Sequence, residues 1–456
     1  MESLLKTINA GIWGVPVLSL ILITGILLTV RSNFAQLRFL PAAIKQFHRS
    51  IKKSDDDAGS SYRALCTALA ATVGTGNIAG VAGAIAIGGP GVIFWMWVSA
   101  ILGMIIKFAE VVLAVHYRKQ DVDGSYLGGP MYIIQRGLPS KLHFLGYVYC
   151  YFGIIAALGI GNAAQMNAVT DGLRSIAVSL SVDLSNAQTA AIGVGVAVLI
   201  SFVFRYGASG IGKIAELLVP FASIMYLILS LSVLLINHDK IIPAFRLIIG
   251  GAFSPRSVTG GVLGSAFLTL RTGISRGVFT NEAGMGTASI AHATSKVSFP
   301  VQQGMMGIME VFLDTIVICT LTALVILCSG VAIPYGTDPG ISLTMDAFSV
   351  VLGDWCRILI TVLTCTFAFA TILGWGFYGA RCSQFLFGVH AWDKFAFAQS
   401  IAVVFGAVLN TSVVWLLSEI VNGLMAIPNL IAILMLMGNV LGCIEEYSRQ
   451  NKSVQS

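Results

Sequence analysis

Eleven apolar runs, near residues 11–30, 64–88, 90–115, 142–170, 188–204, 211–237, 260–292, 302–331, 352–380, 395–417 and 421–443, organise this chain. About 20 helical residues cross a hydrocarbon core of ~30 Å, so each run reads as one crossing segment. Lipid offers backbone groups no hydrogen-bond partner, and uninterrupted apolar runs satisfy them by forming helices. The expected fold class is therefore an all-α integral membrane protein of about 11 transmembrane helices. Charge agrees: 11% of the 456 residues are charged, where a soluble domain carries about 25%. The mean hydropathy is +0.86. The first run follows Lys6 as a secretory signal would, but no small-residue cleavage pattern follows it and Arg31 ends it, so it reads as a retained helix.

Lys and Arg accumulate in cytoplasmic loops. With the N-terminus outside, 18 of them fall in cytoplasmic segments and 5 in external ones. That split supports eleven spans and a cytoplasmic C-terminus, and it disperses the net charge of +6 over loops rather than on one nucleic-acid-binding face. The segment from Arg31 to Arg63, with Asp55, Asp56 and Asp57, reads as a solvated connector that could carry a helix on the membrane surface. Two runs about 200 residues apart, 64–88 and 260–292, are interrupted by glycine and hydroxyl residues. Five spans counted from each give a 5+5 repeat, and an odd number per unit makes the repeat inverted, as in secondary transporters with a site at the bilayer midplane. The expected organisation is a helix and connector over 1–63, a first repeat over 64–237, a second over 238–443 and a cytoplasmic tail over 444–456.

The first interruption centres on Gly74-Thr75-Gly76-Asn77. A break inside a span leaves N–H and C=O groups unpaired, at several kcal/mol each unless something fills them. The N–H groups of Thr75 and Gly76, at the start of a second half-helix, suit a carboxylate, and the carbonyls of Ala70 and Val73 suit a cation. Gly76, Gly80 and Gly83 also fit close helix packing. In the second interruption Phe279, Thr280 and Asn281 are expected at the break, with Glu282 paired to Arg276 or Arg271. Lys107 and Glu110 are expected to pair at i,i+3. Glu310 and Asp314 share a helix face near Thr315, where they could bind a cation or proton or cap a loop; Gln165 is an amide in an apolar span that needs a partner, either another helix or the substrate. Eight cysteines without a CxxC and six scattered histidines form neither a disulfide framework nor a metal-ligand cluster. A membrane enzyme would need a clustered nucleophile and base, which the Ser, His and acidic residues do not form, and a channel or receptor fits two paired helix breaks less well than occluded binding does.

The residues themselves resemble the alanine or glycine:cation symporters. The matching stretches are ALAATVGTGNIAGVAGAIAIGGPGVIFWMW (68–97), GGPMY (128–132), RGVFTNEAGMG (276–286), FLDTIVICT (312–320), TILGWGFYG (371–379) and AIPNL (426–430), spread over nearly the whole chain. The resemblance implies a leucine-transporter-like fold with one extra N-terminal helix, no enzymatic step, a small neutral amino acid as substrate, sodium or sometimes a proton as the coupling ion, and a bacterial or archaeal plasma membrane. It places the substrate carboxylate at Thr75 and Gly76, polar contacts at Thr72, Asn77 and Gln165, and Phe279, Thr280 and Asn281 from the second broken helix. Trp375 would close the pocket, and a sodium ion, co-transported rather than a resident cofactor, would use Ala70, Val73 and Thr371. Ala370 stands where a serine is common in the family, which removes one hydroxyl ligand.

Overall fold

The computed structural model describes residues 2–51, 57–121, 124–179, 181–254, 266–409 and 411–453, and these are almost entirely helical. In chain order the helices are α1 (Glu2–Ile12), α2 (Val15–Arg31), α3 (Ala35–Ile51), α4 (Asp57–Thr72), α5 (Ala79–Gly88), α6 (Val92–His116) and α7 (Pro130–Gly137). They continue with α8 (Phe144–Leu158), α9 (Ala164–Ser179), α10 (Asn186–Phe204), α11 (Gly207–Ile236), α12 (His238–Phe253), α13 (Ala266–Asn281) and α14 (Thr287–His292). The remainder are α15 (Pro300–Val311), α16 (Thr320–Ser329), α17 (Ser342–Leu352), α18 (Trp355–Phe387), α19 (Ala391–Gly406), α20 (Thr411–Met435) and α21 (Met437–Ser453). A two-residue hairpin, Lys119–Gln120 against Tyr126–Leu127, tightens the loop after α6.

Among the described residues seven helical stretches are long and apolar enough to cross a membrane, and two further pairs qualify as bent spans. The 64–88 run is one of these, turning by 60° between Thr72 and Thr75. The last run differs from expectation: its helix starts at Thr411, carries Pro428, and turns by 57° at Leu436 into the polar, charged helix α21. The 260–292 run consists, in its described part, of a 16-residue and a six-residue helix, and residues 260–265 lie outside the described residues. In the 395–417 run, α19 has 16 residues. The connector does hold a helix: α3 presents Leu37, Ile44 and Ile51, seven residues apart, as an exposed apolar stripe.

The outer surface is apolar where water would forbid it. Val198, Leu199 and Phe202 on α10 and Leu217, Phe221 and Leu235 on α11 are all more than half exposed, which a water-facing surface rarely tolerates over so wide an area. Inside the bundle, packing follows small residues. A Cβ at Gly273 would lie 2.5 Å from Trp95, one at Gly277 2.9 Å from Ser99, and one at Gly304 2.6 Å from Val112. Glycines on α13 and α15 thus let both helices press on α6, which is buried along nearly its whole length. Trp13 is buried as well, donating its indole N–H to the Glu419 carbonyl at 2.6 Å, so it serves packing between α1 and α20.

Candidate functional site: two broken helices and the residues between them

The first break forms where the glycines allow it. After Thr72 the chain leaves the helix, Gly74 is extended, and a single tight turn over Thr75–Asn77 leads into α5. A local side chain sets this shape: the Gly74 N–H donates to Asn77 Oδ1 at 2.9 Å instead of to the carbonyl of Ala70. The turn closes with Asn77 N–H on the Gly74 carbonyl and Ile78 N–H on that of Thr75. Among the described residues, no donor reaches the carbonyls of Ala70 and Val73, and no acceptor reaches the N–H groups of Thr75 and Gly76. Buried main-chain groups are almost always paired, so this cluster marks a place built for something other than protein.

Two long helices close on the break. Thr371 on α18 sits so near that a Cβ at Gly74 would be 2.6 Å from its Oγ1, and that buried hydroxyl has no hydrogen-bond partner among the described residues. Gln165 on α9 takes the Thr75 hydroxyl on its Oε1 at 2.9 Å and anchors its own amide on the Ile160 carbonyl at 3.2 Å. That carbonyl belongs to a π-helical segment, Gly159–Ala163, a feature that frequently marks functional sites. One turn beyond Thr371, Trp375 packs on the same segment so tightly that a Cβ at Gly161 would lie 2.2 Å from its own Cβ. Thr72 spends its hydroxyl on the Ala68 carbonyl at 3.3 Å. The structure thus brings Thr72, Thr75, Gly76, Gln165, Thr371 and Trp375 to one region.

The second break lies later than the sequence suggests. Phe279, Thr280 and Asn281 form the last turn of α13, and the chain turns over Glu282–Gly286. Glu282, Gly284 and Gly286 all take positive φ (53°, 93° and 77°), which glycine adopts at low cost. The Gly-Met-Gly spacing carried that signal. Thr280 caps its own helix through the Arg276 carbonyl at 2.7 Å, while Asn281 accepts the Ala283 N–H at 3.0 Å and donates to Thr315 Oγ1 at 3.2 Å.

Two expected pairings, and the joint site expected of Glu310 and Asp314, are replaced by other contacts. Glu282 accepts the Thr287 hydroxyl at 2.6 Å, and Arg276 faces Glu419 at 3.6 Å and Asp338 at 3.9 Å, because the left-handed turn at Glu282 sends its side chain toward α14 and away from α13. Lys107 reaches across to Glu310 at 3.3 Å. Its i,i+3 neighbour Glu110 turns to the second break, where Oε1 accepts the N–H groups of Gly284 and Gly286 at 2.8 and 3.0 Å and the Asn429 amide at 2.7 Å. Glu310 and Asp314 are separated by the start of a second π-helical segment, Phe312–Cys319. Glu310 bonds His292 at 2.9 Å, which continues through Gln303 to Ser61. Asp314 instead takes the Asn77 amide at 2.7 Å. His292 and Gln303 carried no sequence signal that separated them from ordinary span residues, and Asn429 stood out only as part of the AIPNL stretch (426–430).

A bundle of apolar helices with a break near mid-span, two rows of unpaired backbone groups and almost no charge at that break defines a membrane-embedded carrier of a small polar solute. A solved structure has this architecture: MhsT, crystallised in complex with L-phenylalanine, superposes with a TM-score of 0.60 at 14% identity, over 82% of this chain and 88% of that one. The profile of the sodium:alanine symporter family matches residues 1–456. The chain is 40% identical over 456 residues to the sodium/alanine symporter AgcS of Methanococcus maripaludis, covering 99% of this chain and 98% of that protein. It is 34% identical over 460 residues to the probable sodium/glutamine symporter GlnT of Bacillus subtilis, covering 99% and 92%. This protein belongs to the sodium:alanine symporter family; it is a multi-pass membrane protein and a secondary active transporter of amino acids with a cation, and it is not an enzyme.

Proposed function

We propose that this protein imports alanine or glycine together with sodium by alternating access, with its N-terminus outside and its C-terminus in the cytoplasm. The observation that carries the reading is the set of unmatched groups at the first break: two N–H groups at Thr75 and Gly76, two carbonyls at Ala70 and Val73, and the unpartnered hydroxyl of Thr371. The N–H groups suit a carboxylate at the start of a half-helix. The three oxygens are hard donors of the kind an alkali cation takes, and Ala370 leaves the set without a second hydroxyl. Gln165 is placed to answer the substrate's polar groups, and Asn77 shapes the seat. Phe279, Thr280 and Asn281 belong to the wall given by the last turn of α13. Trp375 bounds the pocket, and its bulk favours a one- or two-carbon amino acid, since an extra methylene is worth about 1–3 kcal/mol in a tight pocket. The 5+5 inverted repeat is supported by one broken helix early in each half.

A second reading, a carrier of larger neutral amino acids, is favoured by the name of the 34% identical glutamine symporter. A third keeps the site and replaces sodium with a proton. Uptake of labelled alanine, glycine and glutamine into proteoliposomes, with sodium and proton gradients imposed separately, decides among them. Sodium-driven accumulation of alanine or glycine is expected. Accumulation driven by the proton gradient alone, or glutamine preferred to alanine, overturns it.

A further inference from the structure

We propose that Asp314 is the positioning residue of the substrate seat: it aims the Asn77 amide, and Asn77 in turn holds the first break open. Asp314 is completely buried in the π-helical segment Phe312–Cys319. Its Oδ1 accepts the Asn77 amide at 2.7 Å, and its main-chain carbonyl takes the same amide at 3.2 Å. Its Oδ2 accepts the Thr315 hydroxyl at 2.8 Å, and Thr315 Oγ1 receives the Asn281 amide at 3.2 Å. One carboxylate thus stands one hydrogen bond from the first break and two from the last residue before the second.

The consequence for Asn77 follows from donor and acceptor chemistry. A side-chain amide has one donating and one accepting end. Both Asp314 side-chain oxygens accept, Oδ1 from the Asn77 amide and Oδ2 from the Thr315 hydroxyl, so the donating end of Asn77 faces the carboxyl group and its own Oδ1 faces the chain. That oxygen captures the Gly74 N–H at 2.9 Å. Were Gly74 to bond the Ala70 carbonyl instead, the helix would extend and the Ala70 carbonyl would be consumed. The Asn77 carbonyl is fixed as well, by the Thr322 hydroxyl at 2.9 Å. Asp314 therefore touches no ligand group and sets the geometry of those that do.

The inference rests on the reading that Thr75 and Gly76 take the substrate carboxylate, and the test separates the two. Alanine uptake by the full-length protein in proteoliposomes is measured for Asn77→Asp, Asp314→Asn and the double variant, with folded protein counted by size exclusion. Asn77→Asp sets two carboxylates against each other and is expected to raise KM about 100-fold, while Asp314→Asn, which leaves one contact mismatched, raises it about 10-fold. In the double variant the carboxylate at position 77 still accepts the Gly74 N–H, the amide at position 314 donates to it, and the amide oxygen accepts from Thr315. KM is expected to fall well below that of Asn77→Asp, to within about tenfold of the native value, because the main-chain carbonyl of residue 314 still lacks its Asn77 donor; each tenfold corresponds to about 1.4 kcal/mol. A purely structural role would lower the amount of folded protein and Vmax without moving KM, and exchange would not restore it. Unchanged KM in the single variants, or no recovery in the double one, overturns the proposal. Should Asn77→Asp fail to fold, Thr315→Val decides: it removes the hydroxyl on Oδ2 and is expected to raise KM about fivefold, and an unchanged KM overturns the proposal. Gly76→Val tests the seat itself. If it abolishes uptake while the Asp314 variants behave as native, the seat stands and this inference falls; if it leaves uptake intact, the seat reading falls first.

Discussion

The two broken helices use the same device and finish it differently. At the first, Thr75 and Gly76 keep N–H groups without an acceptor and Ala70 and Val73 keep carbonyls without a donor. At the second, the N–H groups of Gly284 and Gly286 left over by the break are both taken by Glu110, and Asn429 bonds that carboxylate and the Gly284 carbonyl at once. A break in a span must be satisfied by something. The second is satisfied by the protein's own carboxylate. On the proposed reading the first is left for solute, so its occupancy would change during transport. Charge gathers around the second break and reaches the first at one point: Lys107, Glu110, Glu282 and Glu310 lie in the wall and none of them hydrogen-bonds Thr75 or Gly76, while Asp314 meets the first break through Asn77.

The strongest way to break this comparison is to put the same side chain into both. Nothing lies within 4 Å of a Cβ at Gly76, whereas a Cβ at Gly286 would be 2.3 Å from Pro130 in a left-handed conformation. Gly76→Val is expected to keep its fold and lose uptake at least ~100-fold, because the new methyl groups enter the space in front of the free N–H groups; about 2.7 kcal/mol of lost binding suffices. Gly286→Val is expected to lose the fold itself. Monodisperse protein with no alanine uptake in the first case and little recoverable protein in the second is the predicted pattern. Equal uptake by Gly76→Val and native protein would remove the first break from the site.

Next in size is the cap. Glu110→Ala leaves two buried main-chain N–H groups and one of the two N–H bonds of the Asn429 amide without an acceptor, at about 1–3 kcal/mol each, while the other Asn429 N–H keeps the Gly284 carbonyl. It also leaves Lys107 with one fewer carboxylate nearby. Thermal unfolding in detergent should show a loss of several kcal/mol, while Glu110→Gln, which keeps an acceptor oxygen, recovers part of it. A variant as stable as the native protein would show that the second break is not held by this carboxylate.

These two breaks also show what could be read from the chain. The first was legible because glycines flanking a hydroxyl residue inside an apolar run have few uses in a span, and its unpaired groups are backbone atoms whose position follows from the break. The second was placed about three residues early, since Phe279, Thr280 and Asn281 look like ligands and Glu282, whose φ is 53°, is not a residue type that announces a turn. Partners were the least legible feature. Lys107 and Glu110 invite pairing at helical spacing, yet Glu110 meets residues 174 and 319 positions away. Helical spacing brings two side chains to one face, and the packing of other helices onto α6 decides which of several carboxylates each one meets. The π-helical segments at 159–163 and 312–319 gave no sequence signal, although the first anchors Gln165 through the Ile160 carbonyl and the second presents the Asp314 carboxyl to Asn77.

The smallest effect tests the cation side of the first break. Thr371 Oγ1 is buried and accepts and donates nothing within the protein, so replacing it by the isosteric valine removes no internal hydrogen bond. Thr371→Val should therefore leave the unfolding midpoint nearly unchanged, within the ~0.5–1.5 kcal/mol that a typical hydrogen bond contributes. If the hydroxyl is a cation ligand, the sodium concentration that half-saturates alanine uptake should rise about 10-fold, a loss of about 1.4 kcal/mol, with Vmax at saturating sodium preserved. The second break offers the control: Thr287 also carries a buried hydroxyl, but it is committed to Glu282 at 2.6 Å, so Thr287→Val should cost stability and leave sodium dependence alone. A sodium response that moves with Thr287 and not with Thr371 would exchange the roles assigned to the two breaks.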